Sequence, residues 1–238
     1  MLDQIYYFVM VPMVYVAFAW CIIGITVKIV GILRAPRHPF TLRIFPDTER
    51  PLFRALVDAF TFPTVREHRP LLWVFLILFH VALAILVVAH LDLIPQLRLA
   101  PKNSPHMIGH GVVGLVLTIS VLYLLLRRFR SPVREFSVPS DYILLLLLFL
   151  VFVTGDVISW ANSWSESGFV ITKEDFGAYL NGLVQFTFQD PSKVLSGGHY
   201  SVVAAHVLMV NMFLMVLPFS KIMHSFFAVP LNALRRVP

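Results

Sequence analysis

Four histidines stand in strongly apolar parts of the chain. His80 and His90 bracket HVALAILVVAH, ten residues apart with only Val, Ala, Leu and Ile between them, and His206 and His224 are eighteen apart. Neutral imidazole can ligate a metal, carry a proton or hydrogen-bond a neighbour. Within a helix that crosses hydrocarbon, an ionisable ring is costly and faces a bundle interior, a cofactor or a water-filled path. Three chemistries are therefore open: axial ligation of haem iron, a proton or ion pathway, and polar contacts that hold helices together.

The elements that carry these rings follow from composition. Of 238 residues, 58% are hydrophobic and only 13% charged, which is the balance of an integral membrane protein rather than a soluble domain. Five segments reach the roughly 20 residues a crossing helix needs: about 5–30, 71–92, 106–126, 141–162 and 200–227. The expected fold is an all-α bundle of five transmembrane helices forming one domain, 1–238. The opening MLDQIYYFVM has no basic leader and no small-residue cleavage site follows, so the first stretch reads as a retained helix. Cys21 is the single cysteine, which excludes an internal disulfide, a CxxCH haem attachment and a four-cysteine iron–sulfur site.

The net charge of +6 is distributed as a membrane protein distributes it, and nucleic acid is not an expected partner. Arg34, Arg37, Arg43, Arg50, Arg54, Arg66 and Arg69 fall between spans one and two. Arg127, Arg128, Arg130 and Arg134 fall between three and four, and Arg235 and Arg236 close the chain. The other connections are poor in basic residues. The positive-inside bias then places the N-terminus on the periplasmic side and the C-terminus in the cytoplasm of a multi-pass protein of the inner membrane.

Local signals refine this outline. PLFRALVDAF in the first basic connection reads as a short helix whose apolar side could lie on the membrane surface or meet a cytoplasmic partner. Pro70 suits the first turn of span two, Thr172 and Asp175 resemble a capped helix start, and Pro218 predicts a kink between His206 and His224.

Topology pairs the histidines. Span two runs outward and span five inward, so His80 faces His224 on the cytoplasmic side and His90 faces His206 on the periplasmic side. Haem b, lacking covalent attachment, takes two axial side chains from opposite faces, so two pairs would hold two stacked haems. The depths match imperfectly: at about 1.5 Å per residue, ten residues cover roughly 15 Å and eighteen roughly 27 Å, a difference left to tilt and the Pro218 kink. Eighteen residues at about 100° each return to one face, so His206 and His224 should point the same way. A proton pathway usually needs acidic partners at depth, and Asp156 alone is a candidate, which weakens the alternative from a different class, a histidine-based, proton-coupled transporter.

At these residues the chain resembles the membrane cytochrome b (gamma) subunit of respiratory nitrate reductase. It also resembles that subunit's relatives in sulfate reducers and methanogens: the cytochrome b subunits of the high-molecular-weight cytochrome, type II cytochrome c3 and dissimilatory sulfite reductase-linked complexes, and of membrane heterodisulfide reductase. The resemblance rests on the two histidine spacings, on HVLMVNMFLMVLPFSKIMHSFFAVPLNAL with its LPFSK segment, and on RRFRSPVREFSVPSDYILLLLL. It implies five helices and two bis-histidine haems b with the same pairing. It also implies a menaquinone site near the outer haem, where Lys102 in LRLAPKNSPHMIGHG matches a lysine of the nitrate reductase relatives.

His106 and His110 depart from that pattern. Binding quinone, meeting a haem propionate or competing as outer ligand are all open to them; their i,i+4 spacing could also suit a metal, and interfacial polar residues are the plainer reading. Arg127 and Arg128 could pair with haem propionates or simply anchor the inner edge. The long basic loop looks more like the sulfate-reducer branch. That implies a cytoplasmic iron–sulfur partner of the heterodisulfide-reductase type, a periplasmic multihaem cytochrome c and other membrane subunits. The implied function is electron exchange between menaquinone and these partners. Its variant is a two-haem transmembrane conduit from multihaem cytochrome to iron–sulfur subunit without quinone chemistry.

Overall fold

The structure, a computed structural model, describes residues 1–34, 50–99, 108–109, 111–164, 172–195 and 200–234. The regular elements among them are all helices: α1 (Leu2–Met10), α2 (Pro12–Arg34), α3 (Pro51–Thr61), α4 (Pro63–His68), α5 (Pro70–Asp92), α6 (Val113–Arg128), α7 (Pro139–Trp164), α8 (Lys173–Val184), α9 (Tyr200–Val216) and α10 (His224–Leu234). Four stretches are long and apolar enough to cross a membrane: Leu2–Arg34, Pro70–Asp92, Pro139–Trp160 and Tyr200–Phe219. The chain is a multi-pass membrane protein.

The stretch expected at 106–126 is helical from Val113, and its 16 residues give about 24 Å of axis. Its start is delayed because Gly109 and Gly111 take left-handed φ values of 74° and 77°, a conformation that does not propagate a helix. α6 lies between α5 and α7, α7 continues onto α9, and α9 meets α1 and α2. In lipid, burying a side chain between helices exchanges tails for protein and gains close fit rather than release from water. Leu117 and Val121 of α6 supply that fit against Leu148, Val151 and Phe152 of α7.

Prolines set where the crossings bend, because each removes a backbone donor. In the first crossing the break falls at Val11, ahead of Pro12, and carbonyls beside it take side-chain donors: Asn211 Nδ2 donates to Val9 O at 2.9 Å and Tyr179 OH to Met10 O at 2.7 Å. Burial raises the Tyr179 phenol pKa, which keeps it a donor.

In the last crossing the effect is larger than the expected kink. The helix ends at Val216, passes through two 3-10 turns, Leu217–Phe219 and Lys221–Met223, and restarts at His224. The helical angle argument for His206 and His224 therefore does not apply across this break. α10 leaves the bundle to lie along α3, the short helix read from PLFRALVDAF.

The capping signals hold. Thr172 Oγ1 accepts from Asp175 N–H at 3.2 Å, and Asp175 Oδ2 accepts from Thr172 N–H at 2.9 Å, closing a capping box on α8. Pro70 opens α5 in its first turn. α8 is tied to the end of α5 by a buried ion pair, Lys173 Nζ to Asp92 Oδ2 at 2.8 Å. Asp92 Oδ1 also accepts from Leu99 N–H at 2.6 Å.

Gly24 of α2 marks where the last crossing breaks: a Cβ there would come within 2.7 Å of the Pro218 ring. Gly24→Ala is expected to lose about 1–3 kcal/mol through overpacking, seen as a lower Tm in detergent. Gly31→Ala, which would meet nothing within 4 Å, is expected not to lower Tm.

Candidate functional site

The first pair of sequence-selected histidines comes together. His80, in the middle of α5, and His224, opening α10, have ring centres 6.3 Å apart with planes at 75°. A metal–imidazole bond of about 2 Å on each side, plus about 1.1 Å from nitrogen to ring centre, gives about 6 Å. The separation therefore fits two rings on one metal. Phe79 stands edge-on to His80, and Phe62, at the joint of α3 and α4, tilts against it at 5.4 Å. Phe62 takes a left-handed φ of 46°, an uncommon choice for a bulky residue and one that strain attends.

Each of these imidazoles has its Nδ1 engaged. His80 Nδ1 donates to Leu76 O at 2.7 Å, and His224 Nδ1 to Lys221 O at 2.8 Å. A carbonyl only accepts, so the proton must sit on Nδ1, leaving the Nε2 lone pair free to ligate. His68 makes the same bond to Thr64 O on exposed α4, so the bond alone marks no site. It matters here because the opposing ring stands at ligation distance.

The second pair follows the same tautomer logic. His90 Nδ1 donates to Leu86 O at 2.8 Å. His206 Nδ1 lies 3.0 Å from Thr154 Oγ1, whose own proton goes to Leu150 O at 2.7 Å, so the hydroxyl accepts from Nδ1–H. His206 and His90 are close enough to interact electrostatically. The neighbouring Gly155 makes room on α7, since a Cβ there would stand 3.3 Å from His206 Cε1.

Among the described residues no group of three or more His, Cys, Asp or Glu side chains could hold a metal ion by itself. Paired imidazoles suit an iron whose four remaining donors come from a porphyrin, so the residues present fit haem. Lys102, His106 and His110 lie outside the described residues. Asp156, the acid noted at depth, is buried where α7 faces α6: Thr118 Oγ1 donates to its Oδ2 at 2.6 Å, and Gly114 leaves room for its Oδ1. Of the two arginines considered for propionates, Arg128 pairs with Asp141, Nη1 to Oδ2 at 2.8 Å.

Sequence reasoning passed over Thr154, Asp92 and Lys173. Thr154 is 52 positions from the ring it orients, and Lys173 is 81 from its carboxylate. Neither link leaves a local signal. The one available hint was an acid, Asp92, two residues past a candidate ligand.

Lys173 is one of the partners that compensate the buried Asp92 carboxylate. Lys173→Met should lower the Tm, and Asp92→Asn in the same chain should restore part of the loss. Thr154→Val should cost about 1 kcal/mol by removing one of the His206 ring's hydrogen bonds, the one to Val151 remaining, measured the same way.

Comparison with known proteins places the chain in a family. The family model described as nitrate reductase gamma subunit matches residues 63–238, a stretch that contains all four histidines. The chain is 28% identical over 180 residues to an Archaeoglobus profundus protein named Hdr-like menaquinol oxidoreductase cytochrome b-like subunit, covering 70% of this chain and 50% of that protein. A protein of the same name from Archaeoglobus fulgidus is 27% identical over 164 residues, covering 65% of this chain and 47% of its own length. The chain thus spans about half the length of the curated relatives it matches. With the family model covering well over half of its residues, the chain belongs to the nitrate reductase gamma subunit family.

Proposed function

We propose that this chain is a dihaem b-type cytochrome subunit of a respiratory complex, exchanging electrons between menaquinone and protein partners. The observation that carries this reading is the His80–His224 pair, 6.3 Å apart with both Nδ1 atoms committed as donors. His80 and His224 hold one haem, and His90 and His206 the other. Bound there, haem supplies a one-electron carrier that no side chain in the chain provides. The names of the Archaeoglobus relatives support menaquinol as the quinone and an Hdr-like complex as the setting.

In this proposal α6 is the fifth crossing and the whole chain is one membrane domain. The N-terminus is periplasmic, and the basic ends of α6 and α10 face the cytoplasm. His90 and His206 then lie toward the periplasm, with Lys102, His106 and His110 on the adjoining connection as candidates to bind quinone and take its protons. His80 and His224 lie toward the cytoplasmic surface, where an iron–sulfur subunit of the heterodisulfide-reductase type would dock, with a multihaem cytochrome c and further membrane subunits as additional partners. Carbonyl-bound Nδ1 atoms hold the rings, and Phe62 and Phe79 shield His80 from water.

Haem stoichiometry and redox titration of the purified protein test this. The wild type should carry two haems. His206→Ala should lose the outer haem and quinol oxidation while keeping the inner signal, and His224→Ala the reverse. A colourless wild type from iron-replete cells would overturn the reading in favour of a transporter, and two haems that quinol cannot reduce would favour the conduit.

A further inference from the structure

The LPFSK segment carries polar contacts that the proposed function leaves unused. Lys221 Nζ donates to Asp141 Oδ2 at 2.7 Å. The same oxygen accepts from Arg128 Nη1 at 2.8 Å and from Val138 N–H at 3.3 Å, and the Asp141 side chain is 3% exposed. The carbonyl of Lys221 in turn accepts from His224 Nδ1 at 2.8 Å. A continuous chain of contacts thus runs from the start of α7, through a buried carboxylate and Lys221, to one imidazole.

The other rings on α5 need no such chain. The carbonyls of Leu76 and Leu86 that hold His80 and His90 belong to an unbroken helix. The carbonyl that holds His224 belongs to a three-residue 3-10 turn, which Ser220 Oγ caps at its start by accepting from Ile222 N–H at 3.2 Å and the His224 backbone N–H closes at its end. Short 3-10 turns have poor hydrogen-bond geometry and no ladder to stiffen them. Lys221 is 62% exposed, so its charge alone holds little. Its tether works because Asp141 is buried and fixed from two other directions.

We infer that Asp141 is a positioning residue for His224: through Lys221 it fixes the turn whose carbonyl orients that ring, and so sets the ring angle at the inner haem. The inference rests on the reading of His80 and His224 as axial ligands. Asp141→Asn and Lys221→Met, separately and together, test it in the haem-loaded full chain. Hydrogen exchange over residues 217–224 should quicken about threefold or more in each variant. The EPR gmax of one haem should shift in the same sense in both variants, with the other haem and the haem content unchanged, and the double variant should shift no further.

Unchanged exchange with haem bound would overturn the anchor alone. Equal shifts of both haems would overturn it in favour of general loosening. Midpoint potentials moving in opposite senses with gmax fixed would reduce the effect to charge. A wild-type chain without haem would instead sink the ligand reading beneath it.

Discussion

Ten residues of unbroken helix form a rigid ruler, and the rest of the bundle must conform to it. His80 and His90 are held about 15 Å apart along α5 by the helical rise. Their counterparts are eighteen residues apart, which a straight helix would separate by about 27 Å. In the proposed two-haem arrangement, the mismatch would be absorbed where the α-helix gives way to two 3-10 turns between Val216 and His224. The recovered 6.3 Å between His80 and His224 is the measure of that solution. Pro218 makes the interruption local, and Ser220 restarts the chain by donating to Leu217 O and capping the following turn.

Proton placement is settled by the same economy. Within hydrocarbon there is no water to take up a spare N–H, so each imidazole must spend one nitrogen on a protein acceptor. His80 and His90 use the carbonyl four residues back, His224 uses one three residues back, and His206 borrows the Thr154 hydroxyl from another helix. Four rings thereby present the same nitrogen outward by three different local means. Two ion-paired clusters stand at helix ends, Asp92 with Lys173 beyond His90 and Asp141 with Arg128 and Lys221 beyond His224, while Asp156 lies buried within α7.

Much of this was legible in the chain because membrane helices advertise themselves by composition. The positions of α5 and α7 follow from apolar length, and the pairing of His80 with His224 from direction of travel. Pro70 and the Thr172–Asp175 box kept their local meaning because both act within one turn. The long-range ties did not show. Nothing near Thr154 tells that His206 will meet it, and nothing near Asp141 points to Lys221, since such contacts exist only once helices are side by side. Pro218 signals a kink in the sequence, yet whether a proline bends a helix or ends it depends on what the neighbouring crossing permits. The late start of α6 turns on Gly109 and Gly111, whose left-handed geometry an apolar tally ignores.

That dependence joins two parts of the chain with different histories of resemblance. The family match begins at residue 63, so Gly24 lies upstream of it, whereas Pro218 lies within it. Yet the proline ring rests where a side chain at position 24 would be. The two positions are therefore not free to drift separately: a bulkier residue at 24 demands a different turn at 218, and any chimera joining this first crossing to another member's last one must carry both halves of the contact.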